Sequence, residues 1–107
     1  MTRFSFETEL RGALAVVELH GELDLLATAA LESELERLAD EPGVDVVALD
    51  LRPLDFVDSS GLRVVLLANE RLDSNERRLV LVRGSSDVQR VFEITHMAER
   101  LDFVASL

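Results

Sequence analysis

The sequence predicts a single α/β domain built on a mixed, mostly parallel sheet. Segments rich in apolar residues alternate with segments of helical periodicity, in the order β-β-α-β-α-β-α-β. Two strand-like segments come first with a short turn between them, which favours an antiparallel hairpin. The 107 residues suffice for one hydrophobic core and are too few for two. We therefore expect one domain, residues 1–107, with four to five strands and three to four helices.

The first two strands are predicted by alternation and by a turn signal. Apolar and polar residues alternate over residues 4–9, as in a strand with one buried face. Arg11-Gly12 marks a turn, and the apolar residues 14–19 follow it as a second strand. We expect Gly21 to end this strand and the two strands to pair as a hairpin.

Leucines at helical spacing predict the first helix over roughly residues 25–39. Leu31, Leu35 and Leu38 recur at i, i+4 and i+7 and form one stripe of such a helix. The charged residues off this stripe are expected to meet water: Glu32, Glu34, Glu36 and Arg37. Asp24 precedes the pattern, and we expect it to cap the helix because aspartate is among the best N-caps.

A buried strand and a second helix are predicted in the middle of the chain. Residues 44–51 contain a continuous apolar run, which is typical of a strand covered on both faces. Ser59 and Ser60 precede a second helical stripe, so we expect them at the entrance of a helix that ends near residues 74–75. The stripe consists of Leu62, Val65, Leu66 and Leu72.

The last part of the chain predicts a strand, a helix and a final short strand. Residues 79–82 are apolar and indicate a buried strand. Ser86 and Gln89 have the spacing of a capping box at a helix start. The stripe of this third helix consists of Val88, Val91, Phe92 and Thr95. Residues 101–104 indicate the last strand.

Composition and charge exclude several classes of protein. The chain contains no cysteine, which rules out a disulfide scaffold and a cysteine-based metal site. Its net charge of −10 argues against binding to nucleic acid or to an anionic membrane, whose phosphates would be repelled. We find no signal-peptide pattern and no apolar run near the roughly 18 residues of a membrane span, so we expect a cytoplasmic protein.

The excess of negative over positive charge is confined to the first part of the chain. Residues 1–58 hold 14 acids and four arginines, whereas residues 59–107 hold seven of each. A partner with a basic patch would be attracted to such a surface. Alternatively, the acidity serves solubility alone.

Few residues offer catalytic or metal-binding chemistry. His20 and His96 lack the spacing of a metal site, so we expect neither to be catalytic or to bind metal. Asp50, Asp55 and Asp58 lie near the end of the third strand, where ligands bind in open α/β sheets. These carboxylates could hold Mg²⁺ in a small enzyme, an alternative that stays open although no phosphate-binding glycine pattern accompanies them.

Ser59 and Ser60 leave two interpretations open from the residues alone. Both serines can cap a helix, or one hydroxyl can carry a phosphate, which the positive end of the helix dipole tolerates. No general base is visible, so nucleophilic catalysis is not expected. Gly61 fits a tight strand-to-helix turn or a close approach by another backbone.

Two motifs resemble those of a known family. Asp58-Ser59-Ser60-Gly61-Leu62 resembles the Asp-Ser-[Ser/Thr]-Gly-Leu signature of STAS domains, specifically the single-domain anti-sigma factor antagonists of bacteria. Gly21-Glu22-Leu23-Asp24 is similar to the Gly-Glu-Leu-Asp before the first helix of that family. Order and spacing agree, and the resemblance extends from about residue 4 to about residue 104.

The resemblance implies a STAS-type fold and a role as a substrate rather than as an enzyme. Ser59 corresponds to the residue that a partner kinase phosphorylates, and Ser60 to a residue that tunes phosphorylation. Asp24 takes the place of an acid that supports partner and kinase recognition. The expected partner-binding residues are Asp24, Asp58, Ser60, Gly61 and Leu62. No cofactor or metal is expected.

The implied cycle joins the chain to two enzymes. An anti-sigma factor that is also a serine kinase holds a sigma factor inactive, and the unphosphorylated antagonist binds this kinase and frees the sigma factor. Phosphorylation of Ser59 breaks the complex, and a serine phosphatase restores it. The family also implies an alternative, a STAS domain that serves without phosphorylation as an accessory of a transport complex. The sequence departs from the family pattern at Arg63, at residues 74–76 and at residues 95–97.

Overall fold

The computed structural model describes residues 3–107, which form a six-stranded mixed sheet and three α-helices. The elements follow in the order β1 (Ser5–Arg11), β2 (Leu14–Leu23), α1 (Thr28–Asp40), β3 (Val46–Asp50), β4 (Leu54–Val57), α2 (Ser59–Ser74), β5 (Arg78–Val82), α3 (Ser86–Ile94) and β6 (Phe103–Val104). A short 3₁₀ helix, Met97–Arg100, lies before β6. The predicted α/β class is confirmed.

The sheet is mostly parallel, with an antiparallel hairpin at one edge. β1 and β2 pair antiparallel through a turn at Gly12, whose φ is +61°. β2 pairs in parallel with β3, β3 with β5 and β5 with β6. The main path of the sheet is therefore β1-β2-β3-β5-β6. β3 is central and nearly all buried, as its continuous apolar run predicted.

The main hydrophobic core combines one face of the sheet with all three helices. Alternate strand residues such as Val17, Leu49 and Leu81 contribute to it, because side chains alternate between the two faces of a strand. The helices contribute Leu31, Leu35, Leu38, Leu62, Val65, Leu72, Val88 and Phe92. On the opposite face lies a smaller buried cluster, Val16, Ala48 and Val80, without any helical residue of the described chain. None of the helices within residues 3–107 is long and apolar enough to span a membrane.

The end of β2 and the strand β4 differ from expectation. β2 continues through Gly21 to Leu23, and its register shifts between Gly21 and Glu22. Gly21 (φ +82°) therefore lies within the strand rather than ending it, and the extra residue at the shift is Asp55 of β4, which is skipped between Leu54 and Phe56. From Gly21 to Leu23, β2 pairs in parallel with β4, a strand that was not predicted from the sequence. β4 has four residues and only its first and last are buried, so it has neither an apolar run nor a long alternation.

The start of α1 corrects the expectation for Asp24. The helix begins at Thr28, after a turn formed by residues 25–27, and its N-cap is Ala27. Asp24 stabilises this turn instead, because its Oδ1 accepts from the backbone N–H of Leu26 (3.1 Å) and of Ala27 (3.2 Å). The leucines of the predicted stripe are buried as expected.

Two further side-chain placements differ from expectation. Glu34 does not face water, since its side chain is only 13% exposed. The N-cap of α3 is Ser85 rather than Ser86, because Ser85 Oγ accepts the N–H three residues further on at 3.2 Å. Gln89 Oε1 instead accepts from the N–H of Gly84 at 2.9 Å. The predicted capping box of Ser86 and Gln89 therefore does not form.

Candidate functional site

The two sequence motifs meet at one edge of the sheet. Leu23 and Val57 are register partners at the ends of β2 and β4, and the N–H of Asp58 donates to the carbonyl oxygen of Leu23 at 3.2 Å. Asp24 and Asp58 therefore directly follow the carboxyl ends of two neighbouring parallel strands. This is the edge at which open α/β sheets bind their ligands. The fold thus brings Asp24 close to the Asp58-Ser59 turn.

Asp58 caps α2, and neither serine does. Its Oδ1 accepts from the backbone N–H of Ser60 at 2.9 Å and of Gly61 at 3.1 Å. The backbone at Asp58 is extended (φ −111°, ψ −175°), as is usual for an N-cap. The interpretation of Ser59 and Ser60 as caps is therefore wrong, and the start of α2 needs neither hydroxyl.

Ser59 is exposed as the first residue of α2, and Ser60 is half-buried beside it. The N–H groups of Ser60 and Gly61 already donate to Asp58. A phosphate on Ser59 would therefore meet the Asp58 carboxylate rather than two free N–H groups. Arg63 is exposed one helical turn after Ser59, at the i+4 spacing that lets two side chains interact.

Gly61 allows α2 to pack tightly against β2 and β4. A Cβ at this position would lie 2.8 Å from both Leu23 Cγ and Val57 Cγ2, which is closer than such atoms approach without a shift. Gly61 is buried, and Leu62 is only 3% exposed. We therefore correct the expectation that Gly61 and Leu62 contact a partner directly. Both residues are instead buried beneath the site, where they help to hold α2 against the sheet.

Three large apolar side chains accompany the acids of this edge. Leu25 and Leu26 lie in the turn before α1 and are 70% and 92% exposed, and Phe56 on β4 is 44% exposed. Leu26 and Asp24 also line an open cleft of about 420 Å³. Sequence reasoning missed this group because it placed both leucines inside the first helix. Their position off the leucine stripe was the available signal.

The three carboxylates near the end of β3 do not form a metal site. Asp50 is 2% exposed and binds Arg52, whose Nη2 lies 2.7 Å from Asp50 Oδ2. This hydrogen bond holds the pKa of Asp50 below its ordinary value, although burial acts in the opposite direction. Asp55 is exposed on β4, and Asp58 is engaged in the helix cap. Within residues 3–107 these acids do not converge on a metal-sized space, so the Mg²⁺-enzyme alternative loses its basis.

The two histidines occupy different environments. His20 lies inside β2, and its Nε2 is 2.7 Å from Glu18 Oε1. His96 follows α3 with a φ of +62°, and its Nδ1 is 3.7 Å from Glu99 Oε1 at the surface. In the part of the chain that the structure describes, one group of residues has metal-ligand atoms near one another, and it consists of Glu7, Glu18 and His20.

A family model matches nearly the whole chain, since the STAS domain aligns with residues 5–107. A Bordetella bronchiseptica protein provisionally named anti-sigma factor antagonist BtrV is 40% identical over 77 residues, which are 72% of this chain and 66% of that protein. The anti-sigma-F factor antagonist RsfB of Mycobacterium tuberculosis (strain ATCC 25618 / H37Rv) is 34% identical over 73 residues, 67% of this chain and 58% of that protein. The chain thus spans less than two thirds of the length of either relative.

Solved structures agree with the fold. An anti-sigma factor antagonist from Mycobacterium paratuberculosis superposes with a TM-score of 0.86 at 24% identity, over 98% of this chain and 88% of that one. The anti-sigma factor antagonist SpoIIAA in its unphosphorylated form gives a TM-score of 0.81 at 24% identity, over 94% and 89% of the two chains. These likenesses confirm the predicted type of fold.

Proposed function

Because the chain belongs to the STAS-domain family, we propose that it is an anti-sigma factor antagonist that is switched by a phosphate on Ser59. In its unphosphorylated form it binds an anti-sigma factor that is also a serine kinase, and this kinase then releases its sigma factor. Phosphorylation by the kinase ends the complex, and a serine phosphatase returns the chain to its binding form. In this cytoplasmic cycle the chain is a substrate and a binding partner rather than an enzyme.

The observation that carries the proposal is the position of Ser59. Its exposed side chain opens α2, directly after the cap residue Asp58 and beside the loop that begins at Asp24. A kinase can reach such a hydroxyl without unfolding any element. The relatives named as anti-sigma factor antagonists support the broader role of an antagonist.

Exposed apolar side chains supply a binding surface for the unphosphorylated form. A single exposed apolar residue is ordinary on a protein surface, but here there are three, Leu25, Leu26 and Phe56. They lie on the loop and the strand next to Ser59. Fully burying one such side chain contributes about 1.5–3 kcal/mol. We therefore place the partner on a surface formed by Asp24, these three residues and Ser59.

Charge gives the switch its physical basis. A phosphate adds a charge of about −1.5 to −2. On Ser59 it would stand beside Asp58, which already takes the two first-turn N–H groups that would otherwise help to neutralise the phosphate. Inside an interface the phosphate would also lose its hydration. A loss of about 3 kcal/mol of binding free energy by this route lowers the affinity more than a hundredfold.

Mapping the phosphate tests the assignment. The chain is incubated with its cognate kinase and ATP, and the modified residue is identified by mass spectrometry. We expect a single phosphate on Ser59, which Ser59→Ala abolishes. Ser60→Ala is the matched control in the same helical turn and should still be phosphorylated. Phosphate on Ser60, or none with a genuine cognate kinase, contradicts the proposal.

Partner binding tests the switch itself. Ser59→Ala and Ser59→Asp both change an exposed side chain that caps nothing, so each should alter the free energy of unfolding by no more than about 0.5 kcal/mol. In calorimetry with the kinase, only Ser59→Asp should lose affinity. Equal affinities of the two variants would exclude an electrostatic switch.

A further inference from the structure

A histidine and two glutamates converge on the face of the sheet opposite the helices. Glu7 of β1 is the direct cross-strand partner of Glu18, and His20 lies two residues further along β2. Glu18 and His20 stand at even spacing from Val16, which belongs to the buried cluster of that face. The ligand atoms of Glu7, Glu18 and His20 all lie within 4.8 Å of one another.

The charges around this group favour a bound cation. Glu7 and Glu18 face each other directly across the hairpin, and like charges in that position destabilise the strand pair. Glu7 and Glu18 line a cleft that also contains two arginines, but these already pair with other acids, in the ion pairs Arg11–Glu9 and Arg52–Asp50. The raised pKa of Arg52 comes mainly from Asp50, which accepts both of its side-chain hydrogen bonds, and the charge of Glu18 only adds to it. His20 offsets the two glutamates only when it is protonated.

We propose that Glu7, Glu18 and His20 bind one divalent transition-metal ion of the zinc class. One imidazole nitrogen and two carboxylates, with a water as fourth ligand, form a four-coordinate set that zinc accepts. Mixed nitrogen and oxygen ligands favour zinc, cobalt or nickel over magnesium, which prefers oxygen alone. The expectation that His20 binds no metal is thereby revised, because the strand register supplies ligands that spacing along the chain does not reveal.

Little movement is needed to form the site. Tetrahedral ligands bound to zinc at about 2.0–2.2 Å lie roughly 3.3 Å from one another. The 2.7 Å contact of His20 and Glu18 is shorter than this separation, and no two ligand atoms of the group are more than 4.8 Å apart. The metal would replace the hydrogen bond between His20 and Glu18, and the exposed Glu7 would rotate in from β1. Binding therefore ties β1 to β2 and weakens at acidic pH, since the ligands must be deprotonated.

Calorimetry with Zn²⁺ on the chain without a purification tag tests the proposal. We expect about one ion per chain and no comparable binding of Mg²⁺. His20→Ala and Glu18→Gln should each lower the Zn²⁺ affinity at least about tenfold, since even changes outside the ligand set cost metal sites roughly 10–100-fold. His96→Ala removes the other histidine from an exposed pair and should bind as the wild type does.

The visible absorption of Co²⁺ bound to the same variants provides a second measurement, and circular dichroism checks that each variant folds. No Zn²⁺ binding by the wild type would overturn the proposal. So would an affinity of His20→Ala and Glu18→Gln equal to that of the wild type, or a loss in His96→Ala as large as theirs. None of these measurements involves Ser59 or the kinase, so their outcome is independent of the proposed function.

Discussion

Asp58 connects the end of β4 to the start of α2 and accepts two backbone N–H groups of that helix. Replacing such a cap by alanine costs about 0.5–2 kcal/mol, and typically about 1 kcal/mol. The same carboxylate places a negative charge directly beside Ser59. One side chain therefore contributes both to the stability of the helix and to the electrostatics of the proposed switch.

We expect Asp58→Ala to lower the free energy of unfolding by about 1 kcal/mol, because two first-turn N–H groups lose their acceptor. Asp55→Ala is the matched control, since Asp55 is exposed on β4 three residues earlier. It should change the free energy of unfolding by no more than about 0.5 kcal/mol. Urea denaturation of both variants gives the comparison. Equal losses in the two variants would show that Asp58 acts only as a surface charge.

The start of α2 and the surface hydroxyl at Ser59 could be predicted from sequence, but the cap could not. Aspartate and serine are both strong N-caps, and only Ser59 and Ser60 were considered as caps from the sequence. The choice depends on where the chain leaves the extended conformation, and Asp58 is extended whereas Ser59 is already helical. That point is fixed by the pairing of β4 with β2, a contact between distant segments.

At the scale of elements, Glu34 joins α1 to the hairpin. Its Oε2 accepts a hydrogen bond from Thr8 Oγ1 on β1 at 2.5 Å, and its Oε1 accepts from Arg37 Nε at 2.8 Å. The Arg37 hydrogen bond is the main cause of a lowered pKa of Glu34, to which Thr8 adds, whereas burial acts in the opposite direction. The ionised form of Glu34 therefore stabilises the folded chain.

We expect Glu34→Gln to lower the free energy of unfolding at pH 7 by about 1–2 kcal/mol, since hydrogen bonds to a charged group are lost. A carboxyl whose pKa is lowered on folding stabilises the protein above its ordinary pKa, here 4.5, and loses this contribution as the pH falls through the lower folded value. The difference between wild type and variant should therefore shrink as the pH is lowered below 4.5.

Urea denaturation at pH 7 and at acidic pH checks the effect of Glu34. Glu36→Gln is the matched control, because Glu36 lies on the exposed side of the same helix. It should change the free energy of unfolding little at either pH. A difference between wild type and Glu34→Gln that is the same at both pH values would contradict the assigned role of the ionised carboxyl.

Periodicity predicted the elements with strong patterns, such as the body of α1 and the central strand β3. It could not predict what happens at Gly21. A glycine in a strand marks either the end of the strand or a bulge, and both interpretations suit its backbone freedom. Gly21 instead lies where β2 has changed partner, from β3 to β4, and the extra residue of the register shift is on β4. The local sequence does not indicate this change of strand partner, so the extension of β2 and the presence of β4 were both missed.

At the scale of the whole molecule, negative charge is concentrated in the segments that surround the Ser59 edge. Residues 1–58 carry a net charge of −10, whereas the charges of residues 59–107 sum to zero. The acidic part supplies β1 to β4 and α1, and it includes Asp24, Asp55 and Asp58 at the proposed partner surface. This segregation could be predicted from sequence. The position of these three acids at one edge of the sheet follows from the pairing of β2 with β4.

We expect association with a kinase that has a basic docking surface to slow as the salt concentration rises, because exposed charges are screened beyond a Debye length of about 8–10 Å near physiological ionic strength. The dissociation rate should change much less, since it depends on short-range contacts such as Leu26 and Phe56.

Stopped-flow association of Asp55→Asn at low salt should be slower than that of Asp73→Asn. Asp73 is also exposed, but it lies 14 residues after Ser59 on α2, about 21 Å along the helix and so at least two Debye lengths away. Association rates that are independent of salt and equal in the two variants would mean that the acidity serves solubility alone.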